Sequence, residues 1–228
     1  MEISGRIILV PTPIGNLGDI TLRALEILRS ADRIACEDTR HSGPLLAHHG
    51  ISGKPLVALH DHNEARRAPE LIAAAQAGET IAMISDAGMP GISDPGYRLV
   101  QACIESGTPF EVLPGPSAVI TALIGSGFPC HAFRFGGFLS VKSGKRRTAL
   151  GEALASGETG VFFESPHRIL STLEILAEID PNARTCVARE LTKKFETYHR
   201  GPAAEVRDHF RAHPAKGEIV LLVHAADR

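Results

Sequence analysis

The chain has 228 residues, 43% hydrophobic and 22% charged, with a formal net charge of −2, which describes a globular protein with one large core or two smaller ones and excludes a disordered chain. There is no global basic field, so a nucleic acid must be met by a local patch, and with no Trp and only two Tyr the composition speaks against a surface built on stacked bases. No apolar run reaches the roughly 20 residues of a membrane span, and Met1–Arg6 does not open a basic, apolar leader, so a soluble cytoplasmic protein is expected.

Ile7–Val10, ended by Pro11, predicts a buried strand, and Thr21–Ser30 predicts a helix with Leu22, Leu25 and Leu28 on its apolar face. Strands follow at Ile34–Cys36 and Leu56–Leu59, a helix at Glu64–Ala77 stopped by Gly78, and a strand at Thr80–Ile84. Tyr97–Ser106 reads as a helix ended by Gly107 and Phe110–Leu113 as a strand. This alternation implies crossover units and a mainly parallel sheet. The run Gly125-Ser126-Gly127-Phe128-Pro129 breaks it, and a boundary there divides the chain into α/β domains 1–125 and 126–228. Beyond the break come strands at Phe133–Phe138, Val161–Phe163, Thr185–Ala188, Glu196–His199 and Ile219–Val223. Helices are expected at Arg146–Ala155, His167–Glu178 and Ala203–Arg211. Adjacent strands without long crossovers make the second sheet mixed.

Three loops after strands of the first half are rich in Gly and Pro: Pro11–Asp19, Ser85–Gly96 and Pro114–Ala118. Each reads alone as a tight turn; together they read as a ligand site beyond the carboxyl ends of parallel strands. The twelve residues of Ser85–Gly96 exceed what a strand-to-helix turn needs. None matches a P-loop or a GxGxxG fingerprint. Asp86 is placed to bond ribose hydroxyls or an ammonium group, or else to cap the following turn. Cys36, Cys103, Cys130 and Cys186 lie far apart without ligand spacing and read as buried small hydrophobes. His60 and His62, two apart, would point to opposite faces of a strand, and no third ligand accompanies them; no metal is expected.

The run Val10-Pro11-Thr12-Pro13-Ile14-Gly15-Asn16-Leu17-Gly18-Asp19-Ile20-Thr21 resembles the N-terminal signature of the bacterial ribosomal RNA small-subunit 2′-O-ribose cytidine methyltransferases, a branch of the tetrapyrrole-methylase superfamily. The resemblance continues through Glu37–Arg40, His62–Glu64, Ser85–Gly96, Pro114–Ala118, Phe163–Arg168, Arg189–Lys193 and Lys216–Glu218. It implies a two-domain tetrapyrrole-methylase-like α/β fold with the cofactor cleft between the domains, and a homodimer. It also implies S-adenosylmethionine as methyl donor, held largely by backbone, with S-adenosylhomocysteine as product. Carried over by position, the donor contacts are Ile14, Asp86, Ala87, Gly88, Met89, Ser117 and Ala118. From the second domain come Phe163, Glu164, Glu190, Leu191 and Gly217. Met89 and Ser140 stand where the family usually has Thr and Pro. Longer members continue past the last strand into a small helical domain.

The implied substrate is a cytidine in the decoding region of 16S ribosomal RNA in the small subunit, with neither DNA nor a membrane as partner. A ribose 2′-hydroxyl is a poor nucleophile until its proton leaves, so a base is sought. Glu37, Asp38 and Glu190 lie near strand ends, as does Glu164; each reads first as a helix cap or a partner for Arg40, Arg168 or Arg189, and only second as a base. Lys193 would accept a proton only if desolvation lowered its pKa. Lys142, Lys145, Arg146 and Arg147 form a flexible basic loop for RNA phosphates, supported by Arg134, Lys193 and Lys194, or else a solvated loop entering a helix. Two rival readings stay open: a methyltransferase acting on a tetrapyrrole precursor, and a non-catalytic RNA-binding protein with this fold.

Overall fold

Short apolar runs bounded by Pro or Gly build the first sheet: β1 (Arg6–Leu9), β2 (Arg33–Cys36), β3 (Leu56–Ala58), β4 (Thr80–Ile84) and β5 (Phe110–Val112). The computed structural model describes residues 5–226; Met1–Ser4, part of the opening in which no leader was expected, lies outside them. The strands run in the order β3-β2-β4-β1-β5, and every pairing is parallel. Four helices cross over between them: α1 (Leu22–Ser30), α2 (Thr39–His48), α3 (Glu64–Gln76) and α4 (Tyr97–Ser106). Ile7, Leu9, Ile81 and Met83 pack with Leu71 and Leu99 on one face. Ile8, Ile34, Ala82 and Ile84 pack with Ala24, Leu28 and Leu46 on the other. A sheet covered on both faces needs continuous apolar strands, which is why β1 and β4 lack alternation. The chain steps outward from β1 to β2 and β3, returns to β4, then passes β1 to reach β5. The reversal lies at the β4–β1 gap, with all carboxyl ends on one edge.

The second unit contains α5 (Ala118–Ser126), β6 (Phe133–Phe138), α6 (Ser143–Ala155), β7 (Thr159–Glu164) and α7 (Ile169–Ile179). It continues with β8 (Arg184–Arg189), β9 (Thr197–Pro202), α8 (Ala203–Ala212) and β10 (Ile219–His224). The sheet order is β6-β7-β10-β8-β9, with β6–β7 parallel and the rest antiparallel, the expected mixed sheet. Its core joins Phe162, Val187 and Leu221 of the sheet to Leu150, Leu173 and Phe210 from the helices. β6, β7 and β8 run one way and β9 and β10 the other. The end where the first three finish is therefore the end where the last two begin.

The structure departs from the sequence reading at several elements. The compact units divide between Ser117 and Ala118 rather than at 125/126, because Ala118–Ser126 is a helix whose Val119, Ala122 and Leu123 are buried in the second unit. Neither α5 nor α2 was expected. On α1 the buried stripe is Ala24 and Leu28, while Leu22 is 80% exposed, since the helix starts only after its N-cap Thr21, whose side chain accepts from the Ala24 amide. The basic run Lys142–Arg147 is the start of α6 rather than a flexible loop. His60 and His62 flank a turn, not a strand, with ring centroids 6.1 Å apart. Cys36, Cys103 and Cys186 are buried as expected, but Cys130 is exposed. Among the described residues no helix is long and apolar enough to cross a membrane.

Candidate functional site

In the first unit the three Gly/Pro loops leave adjacent strands, β4, β1 and β5, on one edge, and they are tied together there. The Thr12 amide donates to the Gly88 carbonyl at 2.9 Å and the Gly88 amide to the Thr12 carbonyl at 3.0 Å. The Thr12 hydroxyl adds a buried bond to the Ser85 carbonyl at 3.1 Å. Gly115 sits so close to Pro11 that a Cβ would lie 2.7 Å from the Pro11 ring, so the third loop rests on the first. Ile14, from the first loop, packs buried against Gly88, its Cγ2 3.3 Å from where a Cβ on Gly88 would stand. At the far end of the long loop the buried Glu64 carboxylate accepts from the Gly96 and Leu99 amides at 2.9 and 3.1 Å. This carboxylate supplies the missing cap of α4 and fixes the loop's exit.

Asp86 does not cap its own turn. Its carboxylate accepts from the Asp38 amide at 3.1 Å and lies 3.0 Å from His41 Nδ1, anchoring the start of α2 to the long loop. The hydrogen bond to Asp86 raises the His41 pKa. Asp38 is the N-cap of α2 and binds the Arg40 amide and guanidinium; the Arg40 side chain holds its carboxyl well below the usual range, which removes it as a base. Burial pushes Glu37 up, and the Asp86 charge adds to this. Asp94, which the sequence reading overlooked, is pushed up to about 7 by burial and next by the Glu37 charge. Only its place in a loop already singled out marked it in advance.

In the second unit the expected donor contacts gather at the end where β7 and β8 finish and β10 begins. Glu190 and Thr192 hold positive φ of 52° and 64°, a strain typical of ligand-binding turns. The Glu190 carboxylate accepts from the Glu218 amide at 2.9 Å and from Lys193 Nζ at 2.9 Å. It packs directly on Gly217: a Cβ there would lie 2.3 Å from the Glu190 carboxyl carbon, and φ is +81°, so only glycine fits. The Glu218 amide, and next Lys193, lower the Glu190 pKa. Lys193 also binds the Glu218 carboxylate at 3.0 Å, and its two carboxylate partners outweigh burial and raise its pKa. Neither residue is left as a base. Glu164 is buried, bonded to the Thr172 hydroxyl at 2.6 Å and paired with Arg168 at 2.8 Å. Its side chain therefore fixes the start of α7.

The expected RNA residues separate as well. Lys142, Lys145 and Lys194 are exposed. Arg146 is only 5% exposed and donates to the Ser171 hydroxyl at 3.3 Å. Arg147 is paired with Glu178. Arg134 points to the face of β6 opposite Phe133 and Phe135. Lys193 and Lys194 precede β9, at the other edge of the sheet from Lys142 and Lys145. Ser140, standing where the family has Pro, accepts from the Lys142 amide at 3.2 Å.

The profile of the Tetrapyrrole (Corrin/Porphyrin) Methylases matches residues 6–207. The protein named Ribosomal RNA small subunit methyltransferase I in Escherichia coli O157:H7 is 50% identical over 222 residues, covering 96% of this chain and 77% of its own. Its namesake in Hydrogenobaculum sp. is 47% identical over 221 residues, covering 96% and 95%. Among solved structures, diphthine synthase superposes with a TM-score of 0.76 at 14% identity over 97% of this chain and 90% of its own. Uroporphyrin-III-C-methyltransferase from Thermus thermophilus gives 0.65 at 22% over 96% and 94%; these two likenesses show the fold alone. A parallel sheet with three tied loops at its carboxyl edge, a mixed sheet and these relatives agree: the chain belongs to the tetrapyrrole methylases and, within them, to the ribosomal RNA small subunit methyltransferase I family.

Proposed function

We propose that this chain methylates small-subunit ribosomal RNA, transferring the methyl group of S-adenosylmethionine to the ribose 2′-oxygen of a cytidine in the decoding region of 16S ribosomal RNA. The observation that carries the reading is the tied loop edge of the first unit in a chain half identical to a named small-subunit rRNA methyltransferase. The donor brings a methyl group on a cationic sulfonium. The first unit fits such a cation: Glu37, Asp86 and Asp94 cluster at the carboxyl edge of β2 and β4, where the Asp86 charge helps burial to raise the Glu37 pKa and the Glu37 and Asp86 charges help burial to raise that of Asp94. Ile14, Ala87, Gly88, Met89 and Ser117 supply backbone and apolar contact on that edge, and Ala118, Phe163, Leu191 and Gly217 are the donor contacts of the second unit.

The transfer forms an O–C bond and breaks an S–C bond in line, so the chain's main task is alignment. The 2′-hydroxyl proton must go to a base. Of the four sequence candidates, Asp38 and Glu190 are stabilised as carboxylates and Lys193 as a cation. Glu37, whose burial makes it the better proton acceptor, is the assignment that remains. The family reading also carries a homodimer; a monomer alone in sedimentation velocity would refute that part. For the reaction, methyl-labelled S-adenosylmethionine is incubated with unmodified small ribosomal subunits or with a tetrapyrrole precursor. Label on a ribose 2′-oxygen of 16S RNA is expected. Label on the macrocycle, or none on RNA, overturns the reading.

A further inference from the structure

Three of the nine phenylalanines stand in the six residues of β6, Phe133-Arg134-Phe135-Gly136-Gly137-Phe138. Phe135 and Phe138 are an odd number apart, so strict alternation would place them on opposite faces. The register breaks between them with Gly137 at φ +63°, and the extra residue of this bulge returns Phe138 to the face of Phe135. A side chain at 136 would collide with the Phe162 ring, its Cβ 2.4 Å away. Both rings flank Phe163 on β7 edge-on, at centroid distances of 5.0 and 5.3 Å. β6 is an edge strand, and Phe138 stays 62% exposed, followed by Val141 at 77%. Burying a phenyl ring stabilises by about 1.5–3 kcal/mol; this strand is bent in a way that forgoes that gain at Phe138.

Cations without counter-charges follow the rings immediately. Lys142 and Lys145 are exposed and have no carboxylate within 4.0 Å among the described residues. Beneath them Arg146 is buried, likewise without a carboxylate, its Nε lacking any acceptor. A buried guanidinium without an anion is costly. An apolar protein partner would cover the rings and leave these cations unneutralised; single-stranded RNA offers π-faces and phosphates together.

We propose that Phe138, braced by Phe163, is a stacking platform for an unpaired base of the RNA substrate, with Lys142 and Lys145 holding the adjoining phosphates. The platform rests on the rRNA reading above and locates its docking face: β6 and β7 finish at the same end of the sheet as the Glu190–Lys193 turn and Gly217.

Two measurements on the full chain test it. Binding of a fluorescein-labelled single-stranded oligoribonucleotide is followed in a salt titration, and KM for unmodified small subunits is measured against the donor Kd. Phe138→Ala is expected to weaken RNA binding and raise the subunit KM about ten- to a hundred-fold, the range of one base–aromatic stack, with the donor Kd within about twofold; Phe138→Trp restores it. Lys142→Ala with Lys145→Ala should reduce the salt slope by about 0.7 for each phosphate no longer neutralised. Unchanged RNA binding in Phe138→Ala overturns the platform, as does an equal loss of donor affinity, which would make the ring a donor contact acting through Phe163. A change of sedimentation with RNA affinity intact makes the face a contact between copies and overturns it too. Oligonucleotide binding that depends on Phe138, with no methyl transfer by the wild type to any RNA, leaves the platform standing and sinks the reaction.

Discussion

Asp86 engages both carboxylate oxygens within its own unit, on the Asp38 amide and on His41. Its contribution to donor binding is therefore first that of a clamp between the ends of β4 and β2. Replacing it with Ala frees a charge-assisted bond worth about 1.5–3 kcal/mol and lets the start of α2 drift. Donor affinity should fall roughly ten-fold or more by calorimetry, with Asp86→Asn in between because it keeps an acceptor for the Asp38 amide; equal affinity in all three proteins refutes the clamp. Asp94 makes a pH prediction. Its folded pKa of about 7 stands above the ordinary 3.8, so between those values the folded chain holds a proton that the unfolded chain has lost. Stability conferred by that proton is complete below pH 3.8 and is lost as pH rises through 7. Asp94→Asn removes the penalty, so its stability relative to wild type should be greater at pH 8 than at pH 5 in urea unfolding. Parallel curves at the two pH values would mean that Asp94 titrates like an exposed carboxylate.

At the scale of elements, the long loop Ser85–Gly96 is held at its exit by Glu64, a residue on another helix. Glu64→Ala leaves the Gly96 and Leu99 amides buried without an acceptor, at about 1–3 kcal/mol each. The variant should unfold at clearly lower urea, and Glu64→Gln, which keeps an oxygen acceptor, should recover most of the loss; if Gln is as unstable as Ala, the cap is not what holds α4. The strands and most helices were legible in the sequence because β1, β4, α3 and α4 carry apolar runs or faces closed by Gly or Pro. α2 was not, since Gly43, Pro44 and two histidines mask a helix that buries only Ser42 and Leu46. α5 was hidden for the opposite reason: its residues are apolar all round, with Ile120 and Ile124 exposed, so no periodicity marked it and the Gly125–Pro129 run dominated. The loops of the site were legible from Gly and Pro. Their pKa shifts were not, because Glu37 and Asp94 meet only through the parallel β2–β4 pairing. Nor was the aromatic group: whole-chain composition dilutes three rings, Phe135, Phe138 and Phe163, that one bulge collects.

For the whole molecule, the two units have separate cores, and the donor reading assigns contacts to both. Any ligand that binds only the folded state stabilises it by mass action, about 2.7 kcal/mol at a hundred times its Kd, which slows exchange through full opening about a hundred-fold. A contact confined to one unit passes that stabilisation on only to amides that open with that unit. S-adenosylmethionine at a hundred times its measured Kd is therefore expected to slow hydrogen exchange in both cores, at Ile8 and Ile81 in the first and at Leu221 and Val187 in the second, with local protection at Gly88 and Leu191. Protection of the first core alone, with Leu221 and Val187 exchanging as in the free chain, would remove Phe163, Leu191 and Gly217 from the donor site while leaving the three tied loops in it. The strained Glu190–Thr192 turn would then need another ligand, and the RNA itself, added without donor, is the next one to titrate.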